Sequence, residues 1–294
     1  MNRFLPVLAI LISLCLAAGC TNAPVAQPVP GAPAVQSVPA VSISATPVQY
    51  VDVNGLRLAY REFGSGEPLL VIVGFGVTME QANETAIAIF ASKYHVYLYD
   101  HRGMGQSGAG TGTPSISLYA DDAAGLMHAL GHDSMHVYGT SMGSFIAQEL
   151  ALSHPERVRR IILDSGSYSI QVPEMRYLKN YLESYAVDPA SPRGQRDEAL
   201  AILAWNGTWD RLPAINKDVL LVVGTDDTIT PDILSVRMAG QINSSWLVRF
   251  RGLPHAGGGV APAEYGRTAL LFLGTGESVV PAPGVPAGAS GVSP

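Results

Sequence analysis

At residues 139–143 the chain reads Gly-Thr-Ser-Met-Gly, and this spacing suggests chemistry. A serine between two glycines fits a sharp turn from strand to helix, where the central residue takes a strained backbone conformation and small neighbours prevent clashes on either side. Such a turn would hold the Ser141 hydroxyl up and exposed. A serine hydroxyl is a weak nucleophile at neutral pH, so a neighbouring imidazole must take its proton and a carboxylate must hold that imidazole in one tautomer. The chain can supply both. Of its seven histidines only His255 follows the acidic stretch Thr225-Asp226-Asp227-Thr228; His95, His101, His128, His132, His136 and His154 precede it, most of them where surface or helix-end positions account for them. Five residues alone also suit a plain turn with a capping serine. The surrounding elements decide between the two.

Those elements alternate between short apolar runs and segments with helical spacing. Asn54-Gly55 separates "VQYVDV" from "LRLAYREF" as a hairpin turn would. The runs "PLLVIVG", "HVYLYD", "MHVYG", "VRRIILD", "DVLLVVG" and "SWLVRF" read as buried strands. "TMEQANETAIAIFAS", "SLYADDAAGLMHALG" and "SFIAQELALSHPERV" read as helices. A hairpin followed by repeating βα units predicts an α/β fold with a doubly wound, mostly parallel sheet. Residues 169–218 break the rhythm with two helix-like pieces, "PEMRYLKNYLESYA" and "RDEALAILAWNG", which predict a small helical cap over the sheet edge. In open α/β sheets, sites form beyond the carboxyl ends of the strands. Four loops qualify there: those carrying Ser141, Asp226 and Asp227, His255, and Gly74-Phe75-Gly76.

With these loops in this order, the chain resembles the α/β-hydrolase superfamily from about Val48 to Gly274. The resemblance is carried by the serine turn, "GTDDTITP", "GLPHAGG" and "YDHRGMGQSG". It implies Ser141 as nucleophile, His255 as general base and acid, and Asp227 as the orienting acid, because the family usually places that acid third after its loop glycine. Asp226 and Asp232 then become turn and helix-cap residues, and Asp164, at the end of "RIILD", is a reserve acid. The resemblance also implies two backbone donors for an oxyanion, the amides of Met142 and Phe75. The family commonly has His-Gly before the second of these, whereas this chain has Val73-Gly74. Ser144 replaces another frequent glycine, with only local packing consequences expected. Asp100 and Arg102 are expected to anchor the loop beneath the site through a salt bridge and turn contacts.

The implied function is cleavage of small-molecule carboxyl esters through an acyl-enzyme, without metal or organic cofactor. Peptidases, C–C hydrolases and cofactor-free haloperoxidases share the same three groups, and a non-catalytic envelope binding protein is a further alternative. Dehalogenases and epoxide hydrolases carry an aspartate as nucleophile, so Ser141 argues against both.

The chain has 294 residues, 47% hydrophobic and 14% charged, which fits one globular domain with a sizeable core. A net charge of -6 leaves no basic stripe for phosphates, which excludes nucleic acid as a partner. The opening "MNRFLPVLAILISLCLAAGC" combines a basic residue, an apolar run and small residues, as a secretory signal does. Its Leu-Ala-Ala-Gly-Cys ending resembles a bacterial lipobox, which implies a signal peptide over residues 1–19, a lipid on Cys20 and a membrane-anchored lipoprotein of the cell envelope. Secretion after an ordinary cut is the alternative. The only other cysteine, Cys15, lies inside that signal, so the mature chain is expected to have no internal disulfide. Residues 20–47, rich in Pro, Ala and Val and without charge, read as an extended tether. Residues 48–274 are expected to be the folded domain, and residues 275–294 a disordered tail.

Overall fold

The computed structural model describes residues 40–275, so the signal, Cys20, most of the tether and nearly all of the tail lie outside the described residues. Eight strands build one sheet. They are β1 (Gln49–Val53), β2 (Leu56–Gly64), β3 (Glu67–Ile72), β4 (Tyr94–Tyr99), β5 (Met135–Thr140), β6 (Val158–Asp164), β7 (Asp218–Gly224) and β8 (Ser245–Phe250). Their order across the sheet is β1-β2-β4-β3-β5-β6-β7-β8. β1 with β2 and β2 with β4 pair antiparallel, and every other neighbouring pair is parallel. Asn54 and Gly55, both at positive φ (47° and 75°), make the tight turn between β1 and β2, the conformation for which Asn-Gly is selected.

The described residues form seven α-helices: α1 (Glu84–Ala91), α2 (Ile116–Ala129), α3 (Met142–Ser153), α4 (Arg176–Val187), α5 (Arg193–Leu203), α6 (Asp232–Ala239) and α7 (Pro262–Gly274). Asn83 and Ser115 accept from the backbone at the starts of α1 and α2 and so fix where each begins. Alternate residues of the central strands supply the core on one face: Leu69 and Val71 of β3 and Leu220 and Val222 of β7 pack with Ile87 and Phe90 of α1 and Phe272 and Leu273 of α7. On the other face α3 runs against β5 and β6 and packs on α2. The central strands are buried on both sides, which is why their sequences are continuous apolar runs rather than alternating ones.

The helices α4 and α5 fall between β6 and β7 and pack on each other. At the N-terminal side the folded body starts earlier than Val48, which corrects the expected boundary of the tether. Ile43 is buried in the core beside Val41 and Val48, and its amide donates to Glu84 Oε1 at 2.7 Å. The apolar residues of "VSIS", Val41 and Ile43, join the core although their segment carries no charge. Among the described residues no helix is long and apolar enough to cross a membrane.

Candidate active site

The turn at Ser141 is as tight as its sequence suggests. A Cβ on Gly139 would stand 2.3 Å from Gly143 O, and one on Gly143 would stand 2.1 Å from Ile72 O, so both positions require glycine. Ser141 itself has φ 55° and ψ -118°, a conformation costing about 1–3 kcal/mol that surrounding structure must impose. Three hydrogen bonds impose it. Ser141 N donates to Asp164 O at 2.9 Å, and the Ser144 amide and hydroxyl both donate to Ser141 O, at 2.9 and 2.7 Å. Ser144 is thus a latch on the elbow, which corrects the expectation that it affects only local packing.

His255 comes to this turn from the loop between β8 and α7. Its Nε2 lies 3.0 Å from Ser141 Oγ, and its Nδ1 lies 2.9 Å from Asp227 Oδ2. Asp227 is buried in the loop between β7 and α6, where Oδ1 accepts from Ile229 N at 2.9 Å and Thr230 N at 2.8 Å. The Thr230 hydroxyl lies 2.8 Å from Asp227 Oδ2 and from Ser165 O, and 3.1 Å from His255 Nδ1. With Oδ1 engaged by the backbone and Oδ2 aimed at the ring, the carboxylate holds the tautomer with the proton on Nδ1. His255 Nε2 is then free to accept from the hydroxyl.

The other acidic residues take different places. Asp226 is exposed and sits in the turn, its amide donating to Leu253 O at 3.0 Å. Asp232 makes no capping hydrogen bond on α6 and instead pairs with Arg249, because Pro231 occupies the cap position; the helix-cap expectation is corrected accordingly. Asp164 is buried behind the elbow, accepting from Ser165 Oγ at 2.9 Å and from Tyr138 OH at 3.0 Å. Burial pushes its carboxyl up to about 6, against the lowering effect of these donors and of nearby His255, with the charge of Asp227 adding to the rise. Ser165 Oγ also accepts from Ala256 N at 3.0 Å, so the Asp164–Ser165 pair ties the elbow to the histidine loop.

Asp100 and Arg102 do not pair. Asp100 accepts from Met79 N and Gln106 N, both at 2.8 Å, whereas Arg102 forks onto Asp122 at 2.6 and 2.7 Å. The planar guanidinium finds a bidentate partner on α2, leaving the Asp100 carboxylate to organise the loop by backbone contacts. No group of three or more His, Cys, Asp or Glu among the described residues is arranged to hold a metal ion.

The two amides named as oxyanion donors flank the serine. Met142 opens α3 immediately after Ser141, and its N–H belongs to the first turn, where no intrahelical acceptor exists. Phe75 follows Gly74, and a Cβ on Gly74 would lie 3.2 Å from Ser141 Cβ, so this loop runs against the nucleophile. The Phe75 ring meets Tyr185 and Tyr181 of α4 edge-on, with centroids 5.5 and 6.4 Å apart.

Sequence reasoning missed His101 and Glu198. Both are fully buried, with Nδ1 of the histidine 2.9 Å from Oε1 of the glutamate. His101 is therefore one of the upstream histidines that a surface or helix-end position does not account for. The available signal was Glu198 itself, a charge within the apolar stretch "EALAIL" one turn after Gln195.

Comparison with known proteins matches residues 67–183 to the family model described as alpha/beta hydrolase fold. Over 258 residues the chain is 29% identical to RutD of Azorhizobium caulinodans, a protein named for carbamate hydrolysis, covering 74% of this chain and 95% of that protein. Over 113 residues it is 32% identical to the pimeloyl-[acyl-carrier protein] methyl ester esterase of Aeromonas hydrophila, covering 38% of this chain and 42% of that enzyme. Among solved structures, a thermophilic esterase from Thermogutta terrifontis superposes with a TM-score of 0.69 at 22% identity, covering 76% of this chain and 98% of that one. The mostly parallel eight-stranded sheet, the serine elbow and these matches together show the α/β-hydrolase fold.

Proposed function

We propose that this hydrolase cleaves carboxyl esters of small molecules through an acyl-enzyme on Ser141. The observation that carries the reading is the 3.0 Å approach of His255 Nε2 to Ser141 Oγ at a strained elbow. Ser141 Oγ attacks the ester carbonyl carbon while its proton passes to His255 Nε2, and Asp227 stabilises the imidazolium through Nδ1–H. The carbonyl oxygen becomes an oxyanion and accepts from the Phe75 and Met142 amides. On collapse, His255 gives the proton to the departing alkoxide, and the acyl group remains on Ser141. Water then repeats the sequence, with His255 taking its proton, and frees the carboxylate. No step in this scheme calls on a metal or an organic cofactor.

Esters are favoured because an alkoxide leaves with a single proton from His255, and the esterase similarities agree with that choice. Carbamates are the second reading, favoured by the match along nearly the whole length of RutD. A panel of p-nitrophenyl esters of graded acyl length, run beside aryl carbamates, separates the two by their kcat/KM. Ser141→Ala should abolish labelling by a fluorophosphonate probe and lower turnover by about 10³-fold or more with the melting transition intact. Undiminished turnover in that variant removes Ser141 from the mechanism.

The same proposal includes lipidation of Cys20 and attachment to the cell envelope, supported by the signal-like opening of the chain. Mass spectrometry of the mature N-terminus should find diacylglyceryl on Cys20, and Cys20→Ser should release the enzyme from membranes. An unmodified N-terminus overturns this part alone.

A further inference from the structure

Two side chains of α5, Gln195 and Glu198, stand three residues apart on one helix face, and both close on Gly76 in the loop beside Ser141. Glu198 Oε2 accepts from Gly76 N at 2.7 Å, and Gln195 Nε2 donates to Gly76 O at 3.3 Å. Gly76 is the third residue of a turn closed by Val77 N donating to Gly74 O at 3.3 Å. Its φ of 73° is what a type II turn requires there. The first residue of that turn, Gly74, lies against Ser141; the second is Phe75. The N–H and C=O of Gly76 are thus both held by one helix.

The clasp is itself supported. The second oxygen of Glu198 takes His101 Nδ1 at 2.9 Å, and the His101 ring stands between Tyr99 and Tyr119, 5.4 Å from each. Tyr185 OH donates to Gln195 Oε1, while the Tyr185 ring packs edge-on against Phe75. A helix that needed only to dock could do so with apolar side chains, since a buried carboxylate is costly unless every oxygen is engaged. Here each oxygen of Glu198 has a partner, and one partner is the loop amide next to Phe75. Val73, at the end of β3, has no polar group with which to anchor this loop from the strand side.

We infer that Glu198, assisted by Gln195, is a positioning residue that presets the Phe75 amide for the oxyanion by clasping Gly76. The inference rests on the serine-hydrolase reading and adds the inserted helices to the machinery of that site. A preset donor stabilises the transition state without changing how the ester is first bound, so its loss acts on kcat rather than KM.

The test measures kcat, KM and thermal melting on a p-nitrophenyl ester, together with the affinity of an alkyl boronic acid, which forms a tetrahedral adduct on an activated serine. Ser141→Ala, Glu198→Ala, Glu198→Gln and Gln195→Ala are compared with the parent. Glu198→Ala should lower kcat by about 10- to 100-fold, with KM within about twofold, and weaken the boronic acid by a similar factor. Glu198→Gln keeps an oxygen for Gly76 N and should recover most of the loss. Gln195→Ala should show the same pattern at roughly 3- to 10-fold. A folded Glu198→Ala with parental kcat and boronic-acid affinity overturns the inference, as does a loss that follows only the folded fraction. If Glu198→Ala does not fold, Gln195→Ala decides, and parental kinetics there overturn it. Activity in Ser141→Ala overturns the hydrolase reading itself; a dead Ser141→Ala with unaffected Glu198 and Gln195 variants overturns the inference alone.

Discussion

Two carboxylate–histidine pairs of the same geometry lie in this molecule. In both, a carboxylate oxygen stands 2.9 Å from Nδ1 of the ring, Asp227 beside His255 and Glu198 beside His101. What differs is the far side of each ring. His255 is 22% exposed and turns Nε2 to the Ser141 hydroxyl. His101 is fully buried, and its Nε2 meets no hydrogen-bond partner among the described residues. In the proposed mechanism the first pair passes a proton between Ser141 and the substrate. The second has nothing to exchange with, so its carboxylate serves as an anchor for the loop and helix it joins. Chemistry is therefore decided by what the second nitrogen faces, not by the pair.

The largest expected effect would break the comparison on the Asp227 side. Asp227→Asn keeps the shape of the side chain but permits the wrong tautomer of His255, and turnover should fall about 10⁴-fold with stability little changed. The check is kcat on an ester substrate beside a denaturation curve. Equal activity would mean that Asp227 has no hold on the ring.

On the other side, His101→Ala should act mainly on stability. Removing the ring leaves Glu198 Oε1 without its partner while Oε2 keeps the Gly76 amide, and breaking one side of such a buried pair costs up to about 3–5 kcal/mol. Urea denaturation measures the loss, while His255→Ala should cost little stability and nearly all activity. If both histidine variants lost rate equally and stability equally, the distinction between a proton-passing pair and an anchoring pair would fail.

The first pair was legible in the sequence and the second was not. Ser141, Asp227 and His255 each follow a strand in a loop whose glycines and position mark it, so reading the strands located all three loops. The eight strands were equally plain: β1 and β2 flank an Asn-Gly turn, and β3 to β8 are short apolar runs with a parallel neighbour on at least one side. The inserted helices gave only amphipathic spacing. That pattern predicts α4 and α5 but not which loop α5 grips, because the contact between Glu198 and Gly76 spans 122 residues and depends on tertiary packing. The partner of Arg102 was hidden for a related reason: the expected salt bridge forms with Asp122 on α2, which sequence spacing does not name. Ile43 was missed because the reading of its segment rested on composition, and a single well-placed apolar side chain does not alter composition.

The smallest effect concerns another buried carboxyl, Asp164, whose hydrogen-bond donors are hydroxyls rather than a histidine ring. Burial holds it near 6, above the ordinary 3.8, so the folded protein favours the protonated form. Between about pH 4 and 6 the native state binds more protons at this residue than the unfolded chain does. The stability it contributes is complete below about pH 4 and is lost as pH rises through about 6, an effect of up to about 3 kcal/mol. Asp164→Asn is neutral at every pH and keeps an oxygen for the Ser165 hydroxyl, although Tyr138 must then reorient its own. The variant should match the parent near pH 4 and exceed it by about 2–3 kcal/mol at pH 8, with turnover within about tenfold. Paired urea titrations at the two pH values measure the difference, and ester turnover measures the rest. A stability gain that did not change with pH would mean that Asp164 does not titrate in this range. A crippled Asp164→Asn beside an active Asp227→Asn would move the orienting acid to the end of β6, and the comparison of the two histidine pairs would then have to be redrawn around Asp164.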